Sequence, residues 1–452
     1  MLFFWLIFLG LVTLCVAAYA LMARSYRKPA VRERIHARAL EIFHREISPQ
    51  QAQKWFSNRD LDKVPEHLRP LARLLLSCGE GNKVYDHNSF EIITSGLRKR
   101  ELLLEDIRQA REYIHIEYFR FGNDKAGREV RDLLYEKAAQ GVEVRFLHNN
   151  LIGRNIPRSY FRDMRRHGME VVPYTHIRMG FRQWLMRLNC QNHRKVVIID
   201  GRVAYTGGMN LNDNYFFRWR DTHLRISGPV IARLQASFMD SWITSGGTFS
   251  RPLGAYFPDA FPQEDAPYRD KLLQIATSAA EYPWPTAQMA YEWTLDNARD
   301  YVYFQTPYFI PPTAFLAAIK SAALKGVDVR IMLPHKVDTA LAGPANRSYY
   351  AECLEAGVRL YERKGAFIHS KTLVADDELA IVGASNLDAR SFHINSEIDT
   401  FIYDREAALE CKRIFLEDLK EAHELHLEEW QRSFRWYQRL WSATVRIFHN
   451  LL

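Results

Sequence analysis

Asn192-His193-Arg194-Lys195-Val196-Val197-Ile198-Ile199-Asp200-Gly201 and Ile368-His369-Ser370-Lys371-Thr372-Leu373-Val374-Ala375-Asp376 are two copies of one pattern, His-x-Lys-x4-Asp. Each copy is followed at identical spacings by the same two residues, Gly207 and Asn210 after the first, Gly383 and Asn386 after the second. One match to so short a motif is an ordinary coincidence. Two matches with the same downstream Gly and Asn indicate a duplicated unit. The motif residues His193, Lys195, Asp200, His369, Lys371 and Asp376 are therefore the candidate catalytic set.

The local geometry divides that set. Val196 to Ile199 and Thr372 to Ala375 are β-branched or apolar, so His-x-Lys is expected to open a strand. Residues i and i+2 of a strand share a face, which projects His193 with Lys195 and His369 with Lys371. The Asp seven residues after each His falls at opposite parity. Asp200-Gly201 and Asp376-Asp377-Glu378 read as turns into a second strand, so both aspartates are expected to brace a hairpin rather than touch substrate. An imidazole doing chemistry needs a partner that fixes its tautomer. Asp221 follows Asp200 by 21 residues and Glu397 follows Asp376 by 21, so these are the candidate histidine-orienting carboxylates.

Two His, two Lys and two Asn brought together suit a phosphodiester. One imidazole can attack phosphorus while the other protonates the leaving oxygen. The lysines, with Asn210 and Asn386 as candidate phosphate-binding residues, would stabilise the non-bridging oxygens. No HExxH, Cys/His set or P-loop is present, and neither a metal nor a cofactor is expected. The five cysteines are scattered without a CxxC pair. A formal charge of +8 favours an anionic partner without choosing between lipid headgroup, nucleic acid and phosphate ester.

Short strands alternate with helices along the chain, the order of an α/β fold. The order then recurs. Ala110-Arg111-Glu112-Tyr113-Ile114 is echoed by Ala298-Arg299-Asp300-Tyr301-Val302, and Gly141-Val142-Glu143-Val144-Arg145 by Gly326-Val327-Asp328-Val329-Arg330. The expected organisation is a first lobe over 81–245, a Gly/Pro-rich linker over 246–268 and a second lobe over 269–420. Residues 24–80 read as a juxtamembrane helical segment and 421–452 as a C-terminal amphipathic helix.

Residues 1–23 carry no charged side chain, and Arg24, Arg27, Lys28, Arg32 and Arg34 follow at once. A bilayer-spanning helix needs about 20 such residues. The charge order predicts a single transmembrane anchor with the body in the cytoplasm. A cleaved signal peptide is the rival, on Ala18-Tyr19-Ala20, but it should carry its basic residues ahead of the apolar core. Arg162, Arg165, Arg166, Arg178, Arg182 and Arg187, interleaved with Met164, Met179, Phe181, Trp184 and Leu185, read as a lipid-facing insertion.

These motifs resemble the phospholipase D superfamily, and their context resembles bacterial cardiolipin synthases. The resemblance runs from about Asn82 to Asp418 and includes Ile116-Glu117-Tyr118-Phe119, Tyr205-Thr206-Gly207-Gly208-Met209-Asn210, Trp219-Arg220-Asp221-Thr222-His223, Gln305-Thr306-Pro307-Tyr308-Phe309 and Asp388-Ala389-Arg390-Ser391-Phe392. It implies two phospholipase D-like lobes, each a mixed β-sheet flanked by helices, forming one bilobal unit behind a transmembrane helix in the bacterial inner membrane. It implies transfer of a phosphatidyl group between two phosphatidylglycerol molecules through a phosphohistidine, with His193 as nucleophile and His369 as acid/base. Phosphatidylglycerol and anionic membrane lipid are the partners implied. Two features depart from the family. One N-terminal apolar segment stands where two are common, and Asn395-Ser396-Glu397 replaces Asn-Phe-Glu. A hydrolytic phospholipase D and, from another class, a nucleic-acid phosphodiesterase share the same motif chemistry; the apolar N-terminus and the Trp/Arg-rich termini argue against nucleic acid.

Overall fold

The computed structural model describes residues 60–447 together with Ile47, apart from 80, 150–155, 175–189, 259–260, 263–264, 281, 340 and 434–435. The expected transmembrane anchor, most of the juxtamembrane segment and the latter half of the Arg-rich insertion lie outside these residues. Among the described residues no helix is long and apolar enough to cross a membrane.

The first half of the chain supplies strands β1 (Val84–Ile93), β2 (Tyr113–Tyr118), β3 (Glu143–Asn149), β4 (Glu170–Tyr174), β5 (Lys195–Ile199), β6 (Val203–Gly207) and β7 (His223–Ser227). The second supplies β8 (Tyr268–Ser278), β9 (Tyr301–Gln305), β10 (Phe309–Ile310), β11 (Asp328–Pro334), β12 (Arg359–Arg363), β13 (Thr372–Ala375), β14 (Leu379–Gly383), β15 (Leu387–Asp388), β16 (Glu397–Ile402) and β17 (Ala422–Leu425). Fifteen of them form one sheet in the order β17-β12-β11-β9-β13-β14-β16-β8-β1-β7-β6-β5-β2-β3-β4. From the central antiparallel pair β1·β8 outward, the two wings have the same order of equivalent strands, and only β17 has no counterpart. Each wing has three parallel strands on its outer side, β2–β3–β4 and β9–β11–β12, with β17 added antiparallel beyond β12, and is antiparallel on its inner side.

Parallel neighbours need crossover connections, and the helices Lys125–Ala139 and Thr313–Leu324 provide them. The repeated Gly-Val pair in the sequence marks where each of these helices stops. Gly141 and Gly326 take φ of +90° and +99°. Val142 N–H bonds back to Lys137 O, and Val327 N–H to Ala322 O, both at 3.1 Å. This is the left-handed cap that glycine enters without a Cβ penalty, with a buried valine after it. The motif strands β5 and β13 lie inside the sheet with helices over it, which is why their sequences are apolar on both faces rather than alternating.

One layer of the core is shared between the halves. Tyr113, Val196, Ile198 and Leu224 pack in one cluster with Leu273, Ile275, Val374 and Ile398. The segment 246–268 also belongs to the packed body, since Leu253, Tyr256 and Phe257 are buried in that cluster and the Tyr113 hydroxyl donates to Tyr256 O at 2.7 Å. The helix Arg69–Cys78 stands before β1 in sequence yet packs on the second half, with Leu71 and Leu75 joining Tyr291, Leu295, Val302 and Phe304.

Two expectations change. The stretch 421–452 is not one helix: it opens with β17, which pairs antiparallel with the edge strand β12, and continues as Leu427–Ser433 and Trp436–Ile447. The hydrogen-bonding edge of β12 captures Ala422–Leu425 before a helix can begin. Trp430 packs on Tyr350 with ring centroids 5.1 Å apart and Arg446 pairs with Glu352 at 2.6 Å, whereas Trp436 and Trp441 are 76% and 51% exposed. Likewise Met164, expected to face lipid, lies in the core beside Tyr160 and Phe161 of the helix Arg158–Arg166. Its spacing places it on the apolar stripe of an amphipathic helix.

Candidate active site

Both motif histidines stand just ahead of their strands, which begin at Lys195 and Thr372. Each is held by backbone of the other half. His193 N–H donates to Ser396 O at 2.9 Å, and His369 N–H donates to Arg220 O at 2.7 Å. These sit within isolated bridges, Asn192 with Ser396 and Arg220 with Ile368. The two bridges are related by the same pseudo-two-fold that relates the wings of the sheet.

The side chains follow the crossing. His193 Nδ1 lies 2.8 Å from Glu397 Oε2, and His369 Nδ1 lies 2.7 Å from Asp221 Oδ2. His193, Lys195, Asn210, Asp221, His369, Lys371, Asn386 and Glu397 are all buried. Lys195 Nζ donates to His193 O at 2.5 Å, and Lys371 Nζ donates to His369 O and lies 3.2 Å from His369 Nε2. Phe119 meets the His193 ring edge-on at 4.6 Å, while Tyr215 and Trp219 wall the His369 ring at 5.1 and 5.5 Å. Asn210 accepts the Arg120 N–H on Oδ1 at 3.0 Å and leaves its buried Nδ2 without a hydrogen-bond partner. Asn386 leaves its Oδ1 buried and likewise without one.

The electrostatics follow from burying cations together. Burial, then the Lys195 and Lys371 charges, holds the His193 imidazole well below its usual range; burial, then Lys371 and Lys195, does the same to His369. Burial also depresses Lys195, and brings Lys371 down to about 8. The carboxylates move the other way: burial pushes Asp221 up to about 6 and Glu397 up to about 8. A phosphate among these groups would restore the protonated lysines by pairing with them. Burial thus favours the neutral imidazole that a nucleophile needs, and the negative charge of a bound phosphodiester favours the imidazolium that a general acid needs.

Asp200 and Asp376, counted with the catalytic candidates from the motif, do not enter this cluster. They occupy the far ends of β5 and β13. Asp200 accepts the N–H groups of Arg111, Glu112 and Tyr113 at 2.8–2.9 Å, and Asp376 those of Arg299, Asp300 and Tyr301 at 2.8–3.0 Å. Asp200-Gly201 and Asp376-Asp377 all have φ between +50° and +61° and form the centre of three-residue hairpin loops, closed by Arg202 N–H to Ile199 O and Glu378 N–H to Ala375 O at 2.9 and 3.1 Å. The opposite parity of these aspartates is the physical reason: seven residues from the histidine, they point away from it and lock the turn to the start of β2 or β9.

A sequence model described as "Cardiolipin synthase, PLD-like domain" matches residues 103–242 and 292–419. The chain belongs to the cardiolipin synthase family of PLD-like proteins. Among relatives, it is 37% identical over 373 residues to the major cardiolipin synthase ClsA of Bacillus subtilis, covering 81% of this chain and 76% of that one. It is 32% identical over 430 residues to a cardiolipin synthase of Halalkalibacterium halodurans, covering 92% of this chain and 84% of the relative. Its fold is similar to the crystal structure of a phosphatidylserine synthase from Haemophilus influenzae, with a TM-score of 0.60 at 15% identity over 80% of this chain and 95% of that one.

Ser396 stands at the point where the lobes meet. Ser396 accepts or donates a 2.9 Å bond with the Tyr174 hydroxyl, a polar contact across the halves. Its carbonyl is the one that receives His193 N–H, and this does not depend on the side chain. Sequence reasoning missed Arg120, whose charge acts on both imidazoles. The available signal was an arginine embedded in Phe119-Arg120-Phe121, directly after an apolar strand. Among the described residues no group of three or more His, Cys, Asp or Glu converges as a metal-ligand set.

Proposed function

We propose that this chain is a cardiolipin synthase-type phosphatidyltransferase working through a phosphohistidine. With the anionic substrate bound, His369 carries a proton on Nε2; His193 Nε2 attacks the phosphorus of one phosphatidylglycerol, the bond from phosphorus to the glycerol oxygen breaks, and the His369 Nε2 proton leaves with glycerol. His369 then takes the proton from a hydroxyl of a second phosphatidylglycerol. That oxygen attacks phosphorus, the N–P bond breaks, and cardiolipin departs with both imidazoles restored. Glu397 and Asp221 hold the Nδ1–H of His193 and His369, keep each Nε2 aimed at phosphorus, and offset the positive charge that develops on each ring. Lys195, Lys371, Asn210 and Asn386 stabilise the non-bridging oxygens through the transition states.

The observation that carries this reading is the crossed pairing: two imidazoles from different lobes in one buried cluster, each held by the other lobe's carboxylate. Its test is labelled phosphatidylglycerol in vesicles with the membrane-embedded enzyme. Cardiolipin and free glycerol in equal amounts support it, phosphatidic acid alone makes the enzyme a hydrolase, and no turnover overturns both.

The reading includes the membrane. We place residues 1–23 as one span of the bacterial inner membrane with the body on the cytoplasmic side. Support comes from the uncharged run followed at once by Arg24, Arg27 and Lys28, and from a substrate that resides in the bilayer. The exposed Trp436 and Trp441 suit the headgroup layer. Lobes over 81–245 and 269–420 are the division we assign.

A further inference from the structure

Arg120 follows β2 by two residues and carries its guanidinium toward the site. Its Nε is buried without a hydrogen bond, and its side chain forms no hydrogen bond or ion pair with the described residues; its flat face lies 5.8 Å from the Phe119 ring. Its charge reaches His193, His369 and Lys195, so it stands beside the imidazole pair. It also lines an open cleft of about 490 Å³ that leads away from them, with Phe119, Asn149, Phe161, Asn212 and Asn214 among the walls.

Two charged side chains line that cleft, and Arg120 is the one whose polar atoms no hydrogen bond or ion pair among the described residues engages. The Asp124 carboxylate is occupied by the N–H groups of Gly127 and Asp213 at 3.0 and 2.9 Å. His148 stacks on Phe161 at 3.8 Å, and burial pushes its imidazole down to about 4, so it is neutral. The rest of the lining is amide, aromatic or aliphatic.

The second lobe has no such feature. At the position equivalent to Arg120, 188 residues on, stands Tyr308, whose hydroxyl donates to Asp338 at 2.5 Å. There Asn346 fills the corresponding space, bonding Phe309 N–H and Pro307 O at 2.9 and 3.2 Å. A pseudo-symmetric catalytic pair thus carries a one-sided annex.

The chemistry of the proposed transfer needs such asymmetry. The donor contributes one phosphate, the reacting one, and its leaving group is neutral glycerol. The acceptor brings a second phosphate that does not react, a glycerol's length from the hydroxyl that does. Two anions must therefore be held at once, and the lysines and asparagines around the imidazoles account for one. We propose that the Arg120 cleft binds the headgroup of the acceptor lipid, with the guanidinium paired to its unreacting phosphodiester and the cleft amides facing its glycerol. Arginine's planar fork matches a phosphate, and uncharged amides serve hydroxyls. The cleft would then select a lipid alcohol over water. This rests on the phosphatidyltransferase reading above.

The test compares full-length wild type, Arg120→Gln and Arg120→Lys on phosphatidylglycerol vesicles, with cardiolipin and phosphatidic acid measured together. The wild-type products judge the transferase reading by themselves: phosphatidic acid without cardiolipin ends that reading. Given cardiolipin from the wild type, Arg120→Gln should lower the ratio of cardiolipin to phosphatidic acid by about tenfold or more. It should also raise the phosphatidylglycerol concentration needed for half-maximal cardiolipin formation, and Arg120→Lys should recover part of both. Products falling together at a constant ratio would assign Arg120 to the transferred phosphate and overturn the acceptor site. An unchanged ratio at unchanged rate would overturn it as well.

Discussion

His193 Nδ1 and Glu397 Oε2 lie 2.8 Å apart although 204 residues separate them, and the pair crosses from one lobe to the other. His369 and Asp221 make the reciprocal crossing. Neither lobe therefore holds a complete imidazole–carboxylate pair of its own. Glu397→Gln and Asp221→Asn keep the shape but offer an amide where the positive charge that develops on the ring during transfer needs a carboxylate able to ionise against it. Each should lower kcat on the order of 10³- to 10⁴-fold with little change in apparent affinity for phosphatidylglycerol. Steady-state transfer rates over a range of lipid concentration check this, and a variant within tenfold of wild type would defeat the orienting role.

The sequence carried the equal 21-residue spacing that singles out both carboxylates, but not which imidazole each one serves. Spacing along a chain reports position within a repeat, and the pairing is set between repeats, by the bridges Asn192–Ser396 and Arg220–Ile368. The hairpin aspartates were legible because parity along a strand is local. The docking of Arg69–Cys78 on the second lobe was not, since its neighbour in sequence is β1 and its neighbours in space are Tyr291 and Val302. Arg120 escaped for a related reason. Comparing the two repeats exposes what they share, and at this position the second repeat has Tyr308.

Asp200 separates bracing from catalysis. Its carboxylate takes three backbone N–H groups at the start of β2, far along β5 from His193. Asp200→Asn retains one good acceptor and sets an amide N–H₂ against backbone donors, which should cost about 1–3 kcal/mol of stability and several degrees in Tm. At a temperature where the variant is folded, its transfer rate should stay within a few-fold of wild type. A variant that melts like wild type yet is inactive would return Asp200 to the catalytic set.

Glu397 also ties stability to pH. Burial raises its carboxyl to about 8, above the ordinary value it has when unfolded. Between those two values the folded chain keeps a proton that the unfolded chain releases, so the Glu397 contribution is fully present at low pH and is lost as pH rises through about 8. Other buried groups titrate too, so the clean quantity is the difference from Glu397→Gln, which keeps the buried site neutral at every pH. The variant's Tm advantage over wild type in detergent should grow by several degrees from about pH 5 to pH 8 and level off beyond. A difference independent of pH would mean that Glu397 is ionised in the folded enzyme throughout.

The two imidazoles can be told apart by removing the need for a proton. Glycerol is a poor leaving group and requires the general acid, whereas nitrophenolate leaves unaided. With a phosphatidyl p-nitrophenol donor, His369→Ala should release about one equivalent of nitrophenolate per enzyme and then stall, because no base remains to activate the acceptor. The label from the donor's phosphatidyl group should stay on His193. His193→Ala should give no such burst, since the nucleophile itself is missing. The reverse pattern, a burst from His193→Ala with label on His369, would exchange the two roles while leaving the crossed carboxylates and the phosphate cluster as they are.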